Sequence, residues 1–450
     1  MIGHQTIDVG ALLDDAHWST YQKLLVAATA TTIILDGLDN QLLGAAVPAM
    51  MREWSLQRPA FVPVQTAGML GMMIGGAIGG VIGDRLGRRV ALLGSVIAFG
   101  ALTVLVSMSG GIAMLTALRF LAGFGLGGAM PNAAALSSEY VPIRKRPFAV
   151  TLTIVCIPLG GSLAGFIGGT LLPRVGWRGL FLVGGILPLA IAAVLLKVLP
   201  ESPRFLARQS ERWPQLRALL RRLGHSVPDD AQFADATEKG VSVSPRELLN
   251  PDLRSDTIAL CASFFFCLLT VYIGTTWVPT LLSGAGFDLG TASYGLTAFN
   301  LGGVVGAILG AIVIMRLGSR LTMLVMAAGA IAGAVVLATM SIGPQSAFLV
   351  LAMLAWTGGL INAVQTTMYA LAAHVYPTAV RATGVGTAVA FGRIGGVLSP
   401  AVGSWALESG SSRYFGLMAA TMTVALAALA AIRRHVPGAV TMRQPQAAAR

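Results

Sequence analysis

Apolar residues run along this chain in long unbroken blocks separated by short polar breaks. A helix needs roughly 20 apolar residues to cross the hydrocarbon of a bilayer. The blocks predict about twelve such helices, near 23–50, 62–83, 89–108, 112–136, 147–172, 178–199, 256–282, 291–315, 321–341, 346–372, 381–406 and 412–433. Continuous rather than alternating blocks predict helices, not the strands of a membrane barrel. The expected fold class is an all-α membrane protein.

The longest polar stretch, 200–255, leaves six blocks on each side. It carries Arg204, Arg208, Arg212, Arg217, Arg221 and Arg222, then an acidic patch at Asp229, Asp230 and Asp235, with a helical stretch expected around 211–223. It is too short and too poor in apolar residues to bury a core of its own, which argues against a catalytic domain. The expected organisation is a tail (1–22), a bundle (23–199), a cytoplasmic linker (200–255), a second bundle (256–433) and a second tail (434–450). The bundles resemble each other. Arg85-Leu86-Gly87 returns as Arg316-Leu317-Gly318, and Ser138-Glu139-Tyr140-Val141-Pro142 has its counterpart in Ala373-His374-Val375-Tyr376-Pro377. At that second offset Arg146 falls on Arg381, and Gly160-Gly161 on Gly395-Gly396. Such matches imply duplicated halves, and duplicated halves of this kind rock around a site at the bilayer midplane.

Composition sharpens this picture. Of 450 residues, 55% are apolar and 11% charged, against about 25% charge in a soluble domain, so lipid is the main solvent. The net charge of +12 would suit nucleic acid, but its placement does not. With the N-terminus inside, Arg52, Arg58, Arg174, Arg178 and Arg413 fall outside, Arg119 and Arg393 fall within spans, and 24 of the 31 Lys and Arg fall inside. That is the positive-inside pattern; it puts both termini in the cytoplasm and predicts no nucleic-acid partner. Asp8, Asp14 and Asp15 near the start do not fit a cleavable signal. Cys156, Cys261 and Cys267 fall in spans as packing residues. No His or Cys spacing suggests a metal, and no nucleophile motif suggests an enzyme. The glycine-rich run Gly123 to Gly128 lacks a following Lys-Ser/Thr and reads as helix packing, not a phosphate loop. No cofactor is expected.

The charges inside the spans carry the chemistry. Asp36 and Asp39 share one face of the first span. Each costs about 2.5–3.5 kcal/mol at the bilayer centre on the insertion scale, and two together resist double ionisation, which favours binding a proton. A structural ion pair with an arginine is the plainer alternative. Arg119 lies roughly 10 Å from the outer end of its span and Asp39 roughly 16 Å, depths that allow pairing. Either acid would hold Arg119 when charged and release it when neutral. The second-half spans hold no acid; Asp288 and Glu408 stand at their outer ends. Arg393 lies near the midplane of span eleven with no acid in its own half. A buried guanidinium is costly unless an anion visits, and a carboxylate held bidentately would serve; snorkelling to the interface is the alternative. Asn40, Tyr272, Trp277, Asn300, Trp356, Asn362, Gln365 and Tyr369 are candidates to line a cavity. Asn362, Gln365 and Tyr369 share a face, although each alone is as readily explained by helix packing.

The loop Gly80-Val81-Ile82-Gly83-Asp84-Arg85-Leu86-Gly87-Arg88-Arg89 joins spans two and three. Its glycines allow tight turns and close backbone approach, and Asp84 can hold arginines or cap a facing helix. By charge alone its arginines are equally topology anchors. Its complete spacing resembles the loop motif of the major facilitator superfamily. Asp36-Gly37-Leu38-Asp39 resembles the first-span motif of that superfamily's aromatic acid:proton symporter family. Arg119 to Asn132 with Ser138-Glu139-Tyr140, Pro200-Glu201-Ser202-Pro203-Arg204-Phe205, and Tyr376-Pro377 with Arg381-Ala382-Thr383-Gly384 are similar to the same family. Met315 and Ser319 depart from the pattern in the second loop copy.

The resemblance implies twelve helices in two pseudo-symmetric six-helix bundles. It implies proton-coupled uptake of a benzoate-like or hydroxylated aromatic acid into bacteria by alternating access, with a monomer working in the inner membrane. On that footing Asp36, Asp39 and Arg119 carry proton coupling. Arg393 grips the carboxylate, with Asn40, Tyr272, Asn300, Trp356, Asn362 and Gln365 around the substrate. Gly80, Asp84, Arg85, Gly87, Arg88, Arg89, Glu139 and Arg144 gate the cytoplasmic side. The alternatives are a proton-driven exporter of drugs or metabolites, a sugar-type porter, and a transport-dead sensor. Ile157-Pro158-Leu159-Gly160-Gly161 only partly resembles the exporter pattern.

Overall fold

A computed structural model describes residues 6–14, 18–228, 230–235, 244–377 and 379–438. Asp15, Asp229 and the C-terminal tail from 439 on lie outside the described residues. The chain opens with strand β1 (Thr6–Asp8) and helix α1 (Val9–Asp14). Helices α2 (Thr20–Trp54), α3 (Val62–Leu86), α4 (Arg88–Val106), α5 (Ile112–Tyr140) and α6 (Arg146–Val198) build the first half. The linker holds α7 (Pro203–Ala207), α8 (Trp213–Arg222) and strand β2 (Gln232–Ala234). The second half contains α9 (Pro251–Gly284), α10 (Leu289–Leu317), α11 (Ser319–Thr339), α12 (Ala347–Val375), α13 (Arg381–Glu408) and α14 (Ser411–Ala431).

Among the described residues, 10 helices are long and apolar enough to cross a membrane. Two features bring the crossings to the expected number. Helix α2 is 35 residues long, but its Thr, Asp, Asn and Gln residues dilute the apolar run. Helix α6 joins the expected fifth and sixth spans over 53 residues, and the backbone of Gly176 (φ 66°) breaks it between them. Only glycine takes that conformation without strain.

The halves repeat one packing plan. Helix α2 lies on α6, α3 on α5 and α4 on α6; correspondingly α9 lies on α13, α10 on α12 and α11 on α14. The α2–α6 contact depends on glycine. A Cβ at Gly37 would sit 2.3 Å from the Ile157 carbonyl oxygen, and one at Gly160 would sit 2.1 Å from that of Ile34. Helix α2 starts with a capping box: Gln22 N–H donates to Ser19 Oγ at 3.3 Å and Ser19 N–H to Gln22 Oε1 at 2.8 Å.

The linker departs from the sequence expectation. It does bury apolar residues, by borrowing the N-terminal segment. Strand β1 pairs in parallel with β2, Ile7 opposite Phe233. Val9 and Leu13 share a buried cluster with Leu216, Leu219, Leu220 and Phe233. Asp14 pairs with Arg146 at the start of α6, and Arg204 lies 3.8 Å from it. Thus α1 and the linker together pack against one end of the first half.

Candidate functional site

A cavity lies between the halves. Asp36, Asn40 and Gln41 line it from α2, Tyr272 and Thr275 from α9, Asn300 from α10, Asn362, Gln365 and Tyr369 from α12, and Arg393 from α13. Met72, Leu126, Ile157, Leu268 and Val271 supply apolar walls. The site therefore offers one cation, one carboxylic acid, several carboxamides and two phenol rings.

The two acids of the first span divide. Asp36 lines the cavity, and its Oδ1 is buried without a hydrogen-bond partner. Asp39 is fully buried behind it. Arg119 donates from Nη1 to Asp39 Oδ2 at 3.2 Å, and the Thr103 hydroxyl donates to the other carboxylate oxygen. Arg119 Nε has no partner. Arg393 donates to the Met72 carbonyl oxygen, on the opposite half, at 3.2 Å. Among the described residues Arg393 has no carboxylate within 4.0 Å.

Most of the lining candidates converge, but Trp356 does not. It is 57% exposed, and its Nε1 donates to the Gly329 carbonyl on α11 at 3.2 Å. Nine residues separate it from Gln365, about two and a half turns, so it projects from the opposite side of α12. Trp356 is therefore removed from the candidate substrate contacts. Trp277 is buried as packing and donates to Pro400 O at 3.1 Å.

At the linker end of the first half, Arg88 pairs with Asp84, lies 4.0 Å from Glu139 and donates to Asn132 Oδ1 at 3.4 Å. The Arg89 N–H donates to Glu201 Oε1 at 2.9 Å, and its side chain bonds the Leu196 carbonyl. Ser202 donates to Glu139. Gly87, at φ 108°, lets the chain turn where a Cβ would meet Glu201 at 2.3 Å. Gly80 faces open space, so close approach is not its role. Arg85 is exposed. Arg144 is exposed as well and stands outside this cluster; Arg146 instead reaches Asp14 and, at 3.1 Å, the Ser138 carbonyl. The short 3-10 turn Ile143–Lys145 turns Arg144 away before α6 begins.

Several contributors were not singled out from the sequence. Gln41 stands two residues past the Asp36-Gly37-Leu38-Asp39 motif and is polar in a helix already rich in polar residues. Thr103 has no signal in an apolar span. Glu201 lies in a recognisable run, yet its partner is a backbone N–H. Asp256, at the inner start of α9, is 2% exposed and accepts from the Arg433 N–H at 2.7 Å. Among the described residues the second half thus holds one buried acid in a membrane helix, and it does not line the cavity.

The model of the Major Facilitator Superfamily matches residues 29–400. The chain is 34% identical over 406 residues to a gallate transporter of Pseudomonas putida, covering 90% of each chain. It is 33% identical to the 4-hydroxybenzoate transporter PcaK of Acinetobacter baylyi, covering 97% of this chain and 95% of that one. It is 30% identical to a benzoate transport protein of the same organism, with 93% and 91% covered. The solved inward-open xylose transporter XylE from E. coli aligns with a TM-score of 0.71 at 16% identity, over 95% of this chain and 99% of that one, a likeness of fold alone. The fold is that of the Major Facilitator Superfamily. The chain belongs to that superfamily and, within it, to the aromatic acid transporter family.

Proposed function

We propose that the protein imports an aromatic carboxylate together with protons across the bacterial inner membrane by alternating access. The observation that carries this reading is Arg393, a cation on the wall of the same inter-half cavity as the unpartnered carboxylate oxygen of Asp36. A guanidinium in such a place calls for an anion, and it matches a carboxylate bidentately. Tyr272 and Tyr369 offer rings for an aromatic body to pack against, and the carboxamides offer partners for ring substituents. The substrates in the relatives' names, gallate, 4-hydroxybenzoate and benzoate, agree with this chemistry.

In this reading Asp36 takes the proton that accompanies substrate. Asp39 and Arg119 form a second protonation switch, since a proton on Asp39 removes the charge that holds Arg119. The halves 23–199 and 256–433 rock as bodies, the cluster of Asp84, Arg88, Arg89 and Glu139 closes the inner side, and both termini face the cytoplasm. The working unit is the monomer. The test is uptake of a panel of labelled aromatic acids by cells, with and without a protonophore. Accumulation of a hydroxybenzoate that collapses with protonophore is expected, and Arg393→Gln should raise its half-saturation concentration at least tenfold. Accumulation that ignores the protonophore would sink the proton coupling. An unchanged half-saturation in the variant would remove Arg393 from the site.

A further inference from the structure

The amides at the outer end of the cavity are arranged in a way that substrate binding does not require. Asn300 Nδ2 donates to Gln41 Oε1 at 2.7 Å, while Gln41 Nε2 donates back to Asn300 Oδ1 at 3.3 Å. One amide comes from each half. Both are buried, at 7% and 1% exposure. We propose that Gln41 and Asn300 form a reciprocal seal whose making and breaking sets the outer closure of the cavity.

Placement supports this role. Gln41 lies five residues outward of Asp36 along α2, roughly 7 Å, so the pair roofs the cavity. Further out the halves stay in contact: the Gly44 backbone approaches the Thr275 carbonyl, and Arg52 donates to Ser283 Oγ at 3.1 Å. Both amides are pinned. Asn300 also donates to the Leu296 carbonyl at 3.0 Å. Gly161 leaves room for Gln41, whose amide a Cβ there would meet at 2.3 Å.

The chemistry suits a contact that must open on every cycle. A buried ion pair at this point would have to be desolvated again at each closure, at high cost. Two apolar side chains would close without fixing a register. Two neutral amides exchange each other for water at small net cost, and their reciprocal geometry accepts one alignment of α2 against α10. Truncating either one leaves the other's buried amide without its reciprocal partner while the outer side is closed (Asn300 keeping only its bond to the Leu296 carbonyl), whereas opening hydrates it. Each single truncation therefore favours the outward-open state. The inference rests on alternating access and is independent of which acid is carried.

The test places spin labels at Gln57 and Ser412, exposed positions on opposite halves at the outer face. Distances between them are measured by electron–electron resonance in proteoliposomes without substrate. Gln41→Leu and Asn300→Leu should each raise the long-distance, outward-open population about tenfold. The exchanged pair, Gln41→Asn with Asn300→Gln, keeps the combined amide length and should return the parental distribution. A general packing defect would not be cured by that exchange. Unchanged distances in both leucine variants, or an exchanged pair that behaves like them, would overturn the seal. Should the leucine variants not elute as folded protein, Asn300→Ala and the exchanged pair decide by the same readout. Absence of aromatic acid uptake by the parent protein, with these distances behaving as expected, would strike only the substrate reading.

Discussion

At the scale of single residues, Asp36 and Asp39 stand in different surroundings although three positions apart. Asp39 is locked in an ion pair with Arg119 and hydrogen-bonded by Thr103. Removing one partner of a buried pair leaves the other charge uncompensated, a cost of about 3–5 kcal/mol. Asp39→Asn should therefore lower the thermal unfolding midpoint of the detergent-purified protein markedly. Adding Arg119→Gln should recover much of that loss while uphill uptake stays abolished. If the double variant melts as low as the single one, the pair is not the source of the instability. The intramembrane charges were legible because hydrocarbon tolerates so few of them. Their division of labour was not, since it depends on which way α2 is turned among its neighbours. The same rotational phase is why Trp356, plausible by type, faces away from the cavity.

At the scale of elements, local chemistry sets where helices begin and how closely they pack. Asp288 caps α10, accepting from Gly290 N–H at 2.8 Å and Thr291 N–H at 3.0 Å. Hydrogen bonds from Thr291, and then Gly290, hold its carboxyl below the ordinary aspartate value. A lowered value means the cap stabilises above the unfolded-state pKa and fades as pH falls through the folded one. Asp288→Ala should cost about 1 kcal/mol at neutral pH, seen as a lower melting temperature, and the gap from the parent should narrow as pH falls below the ordinary aspartate range. A constant gap would show that the charge plays no part. In α6, Gly160→Val drives a branched side chain into the α2 backbone, where even a Cβ does not fit. Overpacking of this kind costs about 1–3 kcal/mol or more, so lower yield and melting temperature are expected, with Gly160→Ala intermediate. The spans themselves were readable from apolar blocks, and Gly176 stands at the polar break between the fifth and sixth. The β1–β2 pairing was not readable. Three-residue strands carry too little periodicity to register, and their partners are about 226 positions apart, as Thr6 and Gln232 show.

At the scale of the whole molecule, the two halves contribute unlike charges to one cavity: Asp36 from the first and Arg393 from the second, within electrostatic reach of each other. Closing such a cavity over an unbalanced charge costs several kcal/mol. Under the proposed symport mechanism, ionised Asp36 and Arg393 balance each other when the cavity is empty, and the carrier can turn over. With an anion on Arg393 alone the balance fails, and a proton on Asp36 restores it. Occlusion is then permitted for the empty carrier and for the carrier holding both ligands, and for neither ligand by itself, which is symport. Asp36→Asn fixes the first half in its neutral form. Loaded occlusion remains balanced, while the empty carrier must close over a lone guanidinium. In proteoliposomes this variant should retain exchange of labelled for unlabelled aromatic acid within a few-fold of the parent. Net uptake driven by a proton gradient should fall at least a hundredfold, the effect of about 3 kcal/mol on the return step. Equal loss of exchange and net uptake would place Asp36 in substrate binding instead, and retention of both would remove it from coupling. The split between the two assays follows from where the charges sit: one on each half, both on the wall of the same cavity.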